Sequence, residues 1–186
     1  MGAAKIRKQK AATLSKIYFG RGNLPQDFNK VDLGLDSAKF PSYPFDDGSV
    51  SEITCEHMFH LIPGPMRGKF MDELYRLLIP AGKINISVPY YHHMRAVQDF
   101  MHAWPPLCEA SFLYFNKTWR ETNRIDYSVK CDFDFSFGYS VEQETANRNE
   151  ETRSFWIKHY MNAATDLQVV LTKRPAVNGQ LPQKLS

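Results

Sequence analysis

Five side chains in the middle of the chain are able to move protons. His57 follows Cys55-Glu56, and the pair His92-His93 is followed by Asp99 and His102. An imidazole titrates near neutral pH and can take a proton from an attacking oxygen or nitrogen. His57, His93, Asp99 and His102 are therefore the candidate catalytic groups. Asp99 and His102 are three residues apart and share a face if the segment is helical. Two imidazoles and a carboxylate are also a donor set for a divalent metal. Adjacent residues diverge on a helix or a strand, however, so these groups are assigned to holding a reactant and no metal site is assigned. A second constellation, Gly20-Arg21-Gly22-Asn23, closes a short apolar run. Glycines there let backbone amides approach a ligand closely, because no Cβ intervenes.

These groups need elements to position them. Residues 16–20 (KIYFG) read as a buried strand that stops at its glycine, and 29–33 (NKVDL) as a second. The turn-rich run from Phe40 to Gly48 delivers the chain into a third strand at 50–54 (VSEIT). A short helix is expected over Glu56–Leu61. A stronger one follows, in which Phe70, Leu74, Leu77 and Leu78 recur at helical spacing, and Pro80-Ala81-Gly82 ends it. KINISV at 83–88 is a strand stopped by Pro89, and 92–104 suits a helix before Pro105-Pro106. In 128–138, Phe133, Phe135 and Phe137 alternate with polar residues, the period of a half-buried, antiparallel strand. A polar helix over 147–161 and a last strand at 167–172 complete an alternation that builds a three-layer α/β sheet with helices on both faces.

The chain is 186 residues with 43% hydrophobic and 23% charged residues, enough to bury the core of one domain. No stretch approaches the roughly 18–20 apolar residues of a membrane span, and no apolar run follows the N-terminal lysines. Cys55, Cys108 and Cys131 are an odd number without CxxC spacing. They read as reduced thiols of a cytoplasmic protein and not as a disulfide frame or zinc site. Of the formal net charge of +3, much sits early, in Lys5, Arg7, Lys8, Lys10 and Lys16. Such an arm is a solvated terminus or a contact for nucleic acid. The expected organisation is a basic arm at 1–15, one domain at 16–173 and a flexible tail at 174–186.

In order, spacing and residue type, PFDDGSVSEI at 44–53 and FMDELYRLLIPAGKINISVPYY at 70–91 resemble the class I S-adenosylmethionine-dependent methyltransferases, in particular a small branch from bacteria and phages. The resemblance covers roughly 16–115 and implies a Rossmann-like sheet, mostly parallel with its last strand or strands antiparallel. It implies S-adenosylmethionine as cofactor, with Gly20, Gly22 and Asn23 as the glycine loop at its methionine end. By the same resemblance Asp32 takes the ribose hydroxyls, Asp36 and Ser37 the adenine edge, and Cys55 and Glu56 line the cofactor after the strand at 50–54. The chain departs from the family between the two aspartates. A helix and a strand usually separate them, whereas here only Leu33, Gly34 and Leu35 do, so the sheet is expected to be compressed in this region.

The activity this implies is methyl transfer to an unidentified acceptor, whether a sugar, a small metabolite or a nucleic acid. No Asp-Pro-Pro-Tyr or Asn-Pro-Pro-Tyr motif is present, which disfavours the amino-methylating DNA enzymes. The alternative is a catalytically degenerate binding protein of the same fold, consistent with the shortened segment and with Phe59-His60-Leu61 in place of the family's Leu-Glu-His. A nucleic-acid-binding module using the basic arm with Trp104 and Trp119 rests on composition alone.

Overall fold

The computed structural model describes residues 14–175. Six strands form one sheet: β1 (Ser15–Gly20), β2 (Asn29–Lys30), β3 (Val50–Glu56), β4 (Leu78–Pro89), β5 (Phe133–Val141) and β6 (Ala164–Lys173). Their order is β2-β1-β3-β4-β6-β5. β1, β2, β3 and β4 run parallel, while β6 is antiparallel to both β4 and β5. The strand rich in phenylalanine is thus antiparallel to its neighbour, as its alternation implies, yet runs in the direction of β4. Only β6 is reversed.

Register explains the core. Ile17 pairs with Ile53 and Phe19 with Cys55; these continue to Ile84 and Ile86, then to Leu171 and Val169. All are buried on one face of the sheet. Helix α1 (Gly64–Leu77) covers that face with Phe70, Met71, Leu74 and Leu77, all fully buried. Each such side chain contributes about 1.5–3 kcal/mol on burial. The alternate residues are polar. Lys16 lies 3.3 Å from Glu52, Asn85 donates to Glu52 at 2.9 Å, and Gln168 donates to Ser87 at 3.0 Å. Parallel strands covered on both sides read as unbroken apolar runs; these alternate, and the face opposite α1 is half-buried to exposed along Lys83, Asn85 and Ser87.

Where the usual helix and strand are missing, an aromatic plug stands in. Tyr43 packs 5.0 Å from Phe19 and Phe40 stacks 6.0 Å from Phe70, while the Tyr43 hydroxyl donates to the Leu33 carbonyl at 2.9 Å. Burial pushes the Tyr43 hydroxyl well above its ordinary range. The sheet is compressed here as the sequence implies, and β2 pairs over only two residues.

Several elements differ from expectation. The helix foreseen over Glu56–Leu61 is a 3-10 turn at Phe59–Leu61, because β3 continues through Glu56 and His57 then turns the chain with φ 49°. Pro80-Ala81-Gly82 does not follow the helix as a loop. α1 ends at Leu77 and the three residues form a bulge inside β4, with Ala81 at φ 61° and the register slipping opposite Val50–Glu52. The 92–104 helix shrinks to α2 (Arg95–Gln98). A second 3-10 segment spans Glu109–Phe115, followed by α3 (Lys117–Thr122). The polar helix divides into α4 (Gln143–Ala146) and α5 (Glu150–His159), where Asn149 caps the second through the Thr152 amide. β1 begins at Ser15, one residue inside the expected arm; residues 1–13 and 176–186 of the arm and tail lie outside the described residues.

Candidate active site

The carboxyl ends of β1, β3, β4 and β5 and the start of β6 lie along one edge of the sheet, where open α/β sheets bind ligands. At the end of β1 the chain turns through Gly20 and Gly22 over Tyr18, which is fully buried. Tyr18 donates its hydroxyl to the Glu56 carboxylate at the end of β3. Burial first, and then Glu56, pushes the Tyr18 hydroxyl up to about 12, while the Gly22 amide at the hydroxyl opposes the rise. A Cβ on Gly22 would lie 3.1 Å from both the Glu56 carboxylate and the Tyr18 hydroxyl. Gly20, Gly22 and Glu56 are therefore brought together, with Tyr18 as a member that sequence reasoning missed. Its signal was its place on the same strand face as Gly20, two residues on.

The other cofactor candidates are more dispersed. Asp32 lies just past β2 and accepts from the Gly34 amide at 2.8 Å through one oxygen, leaving the other open. Asp36 and Ser37 are exposed, and Ser37 is engaged with the Lys39 amide at 3.2 Å. Asn23 is exposed in the loop. The Cys55 side chain does not face the ligand edge. It is fully buried toward α1, where burial pushes its thiol up to about 12, so it offers a ligand only its backbone.

The acceptor-side candidates separate into three groups. The imidazole Nδ1 of His57 stands 3.9 Å from Asp166 on β6, and Arg95 of α2 donates to both oxygens of Asp166 at 3.1 and 3.2 Å. His93 lies 3.9 Å from Glu142, just beyond β5. His102 bonds the Ala96 carbonyl at 2.9 Å and packs edge-on against His60, ring centroids 4.2 Å apart. Burial, reinforced by His102 and His57, drops the His60 imidazole to about 3, so it is neutral. Asp99 caps its own turn through the Met101 amide at 2.9 Å. Asp99 and His102 thus meet across a turn and not on a helix face. Asp166, Arg95 and Glu142 were not singled out in the sequence, because nothing local distinguishes them; only β-sheet register brings Asp166 to Pro89. Among the described residues no group of three or more His, Cys, Asp or Glu could hold a metal ion.

Past β5 a cleft of about 410 Å³ is lined by Glu142, Glu144, Thr145, Trp156, Tyr160 and Asn162, among others. The Asn162 side chain accepts from the Met94 amide at 2.9 Å, and its own amide donates to the His92 carbonyl at 3.0 Å, which ties the cleft to the edge that carries His93.

Residues 20–86 match the family model described as a methyltransferase domain. No curated protein matches the chain in sequence. In three dimensions the chain is similar to a SAM-dependent methyltransferase from Archaeoglobus fulgidus, at 12% identity and TM-score 0.55, covering 87% of each chain. It is also similar to the YcgJ protein from Bacillus subtilis, at 12% identity and TM-score 0.44, covering 80% of this chain and 71% of the other. A more distant likeness is to phosphoethanolamine N-methyltransferase 2 of Haemonchus contortus in complex with S-adenosyl-L-methionine, at 14% identity and TM-score 0.35, over 72% of this chain and 35% of that one. Sheet order, reversed last strand and domain match together define a class I, S-adenosylmethionine-dependent methyltransferase fold. The chain has the fold of these enzymes, and residues 20–86 of it carry the domain match. S-adenosylmethionine, the cofactor the resemblance implies, would find one carboxylate at Glu56 beside the glycine loop and another at the exposed Asp32.

Proposed function

We propose that the chain transfers a methyl group from S-adenosylmethionine to a sugar or other small hydroxylated metabolite held along the carboxyl edge between His57 and the Trp156 cleft. The observation that carries this reading is the convergence of Gly20, Gly22, Tyr18 and Glu56 at the ends of β1 and β3. When bound, the cofactor supplies an activated methyl group, so the protein contributes alignment, exclusion of water and proton removal. Glu56, oriented by Tyr18, would hold the cofactor's α-ammonium group, and Asp32 a ribose hydroxyl. Asn23, Asp36 and Ser37 would border the nucleoside from the exposed side. His57 would take the proton of the attacking group, with His93, Asp99 and His102 shaping the acceptor side.

The cleft favours the acceptor class. Its volume is within the range of small-molecule sites, and an indole and a phenol beside two carboxylates suit a polyol better than a polyphosphate. Nucleic acid would need the basic arm. No helix among the described residues is long and apolar enough to cross a membrane. A second reading, a fold kept for binding without turnover, is favoured by the exposed turn that carries Asp36 and Ser37, where the adenosine wall is thin.

Calorimetric titration with S-adenosylhomocysteine separates the two. Binding weaker than micromolar is expected, with Glu56→Gln reducing affinity at least about tenfold, as loss of a charge-assisted hydrogen bond of about 1.5–3 kcal/mol requires. No heat and no thermal shift at millimolar ligand would give the field to the binding-protein reading.

A further inference from the structure

We infer that Asp166 and Arg95 are a positioning pair that fixes the His57 imidazole with its Nδ1 proton turned inward and its Nε2 lone pair turned to the crevice. The inference rests on reading His57 as the proton acceptor, and it assigns two residues that neither the sequence motifs nor the family likeness single out.

Four observations converge on it. His57 leaves β3 in the left-handed region at φ 49°, a conformation that non-glycine residues hold only where the surroundings over-determine it. Its amide is held by the Ser87 carbonyl at 2.9 Å, which pins the backbone while the ring stays 37% exposed. Its Nδ1 atom is shut off from solvent and has no hydrogen-bond partner. The charged group within reach of that nitrogen is Asp166, 3.9 Å away and itself buried.

A separation of 3.9 Å is not a hydrogen bond, but about 1 Å of ring movement makes it one. Hydrogen bonds of this kind commonly tighten only when ligand arrives. Asp166 cannot turn away, because one Arg95 nitrogen bonds both of its oxygens. A neutral imidazole facing a carboxylate through Nδ1 must carry its proton there, which leaves Nε2 as the basic nitrogen. Arg95, anchored on α2, therefore acts on His57 only through Asp166, and Asp166 acts on the reactant only through His57. His60 on the 3-10 turn also packs against the ring, its centroid 6.4 Å away, and no hydrogen bond joins the two imidazoles.

The tautomer is directly observable by long-range ¹H–¹⁵N NMR of histidine-labelled protein, about two pH units above the ordinary histidine value of about 6.5. Wild-type protein should show His57 protonated at Nδ1. In Asp166→Leu, of similar size but without an acceptor, nothing holds the proton at Nδ1, and it should move to Nε2. Arg95→Ala keeps the Asp166 carboxylate but frees it to turn, and should shift the tautomer the same way to a smaller extent. A structural role for the ion pair would change the melting temperature and leave the tautomer as in wild type. An Nε2–H tautomer in wild type overturns the inference even if Asp166→Leu does not fold, and an unchanged tautomer in a folded Asp166→Leu overturns it as well. Titration of the same samples with S-adenosylhomocysteine tests the methyltransferase reading separately: tautomer control without cofactor binding sinks that reading and keeps the pair.

Discussion

Replacing Gly20 with alanine should cost about 1–3 kcal/mol of stability, the penalty of forcing extra volume into a packed site, and should weaken S-adenosylhomocysteine binding with it. The cause lies in one face of β1. Tyr18 and Gly20 are two residues apart on a strand and so point the same way. The phenol ring lies across the Gly20 Cα, where an added Cβ would stand 2.9 Å from Cε1 and closer still to Cζ and the hydroxyl. The ring is no flexible tip that could step aside. Tyr18 is fully buried and its hydroxyl is bound by Glu56, so displacing it breaks a hydrogen bond that orients the carboxylate. At about 2–4 °C per kcal/mol for a chain of this length, thermal melts should resolve the loss. The control is the double variant Tyr18→Ala/Gly20→Ala, in which the added methyl group meets open space and the Gly20 cost should largely disappear, a coupling of about 0.5–3 kcal/mol. Gly22→Ala should behave differently. Its Cβ meets the ends of the Glu56 and Tyr18 side chains at 3.1 Å, a contact relieved by a shift of a few tenths of an ångström, so the stability cost should be smaller than at Gly20 while ligand affinity falls. A Gly20→Ala protein that melts with wild type would remove the Tyr18–Glu56 pair from the account of the site.

The strength of that glycine loop illustrates what was readable from residues alone. A buried strand ending in glycine, the helix at Phe70–Leu77 and the alternating phenylalanines each carry their own periodicity, and each element formed. The Gly-x-Gly segment and Glu56 came together because parallel pairing of β1 with β3 sets Gly20 directly beside Glu56. Long-range partners carried no local mark. Asp166 enters the site because β6 inserts antiparallel beside β4, a register that the pattern of 167–172 does not encode. Asp99 and His102 had helical spacing but not a helix. The turn at Asp99 is stabilised by its own carboxylate on the Met101 amide, a local competitor that propensity does not weigh. Cys55 adjoins Glu56 in sequence, yet strand alternation turns the two side chains to opposite faces of β3, and only the face of Glu56 reaches the crevice.

Glu73→Gln should destabilise the protein by about 1.5–3 kcal/mol at neutral pH, the worth of hydrogen bonds to a charged group, and the gap from wild type should close in acid. The chain from Leu33 to Gly48 has neither the helix nor the strand expected of this fold, so something other than secondary structure must hold it. Glu73 and Arg76, three apart on a half-buried flank of α1, do so. Glu73 accepts from the Tyr43 amide at 2.9 Å and from Arg76 at 2.7 and 2.8 Å. Arg76 in turn donates to the Phe45 carbonyl at 3.0 Å and the Tyr43 carbonyl at 3.3 Å. Burial works against the charged form of Glu73, but Arg76 and the Tyr43 amide outweigh it and hold the carboxyl below its ordinary range. A carboxyl depressed in the folded state contributes stability that is fully present above its unfolded value of about 4.3 and drains away as pH falls through the lower folded value. Glutamine lacks that charge at every pH. Wild type and Glu73→Gln should therefore differ most near neutrality and converge well below pH 4 in urea titrations. Asp47, also paired with Arg76 but with its side chain 80% exposed, should matter far less, at about 0–1 kcal/mol for Asp47→Asn. Because this network anchors the segment that carries Asp36 and Ser37, Glu73→Gln should also weaken S-adenosylhomocysteine binding at neutral pH without touching the ligand. Equal pH profiles for the two proteins would show that the aromatic plug of Tyr43, Phe40 and Phe70 holds the compressed segment alone.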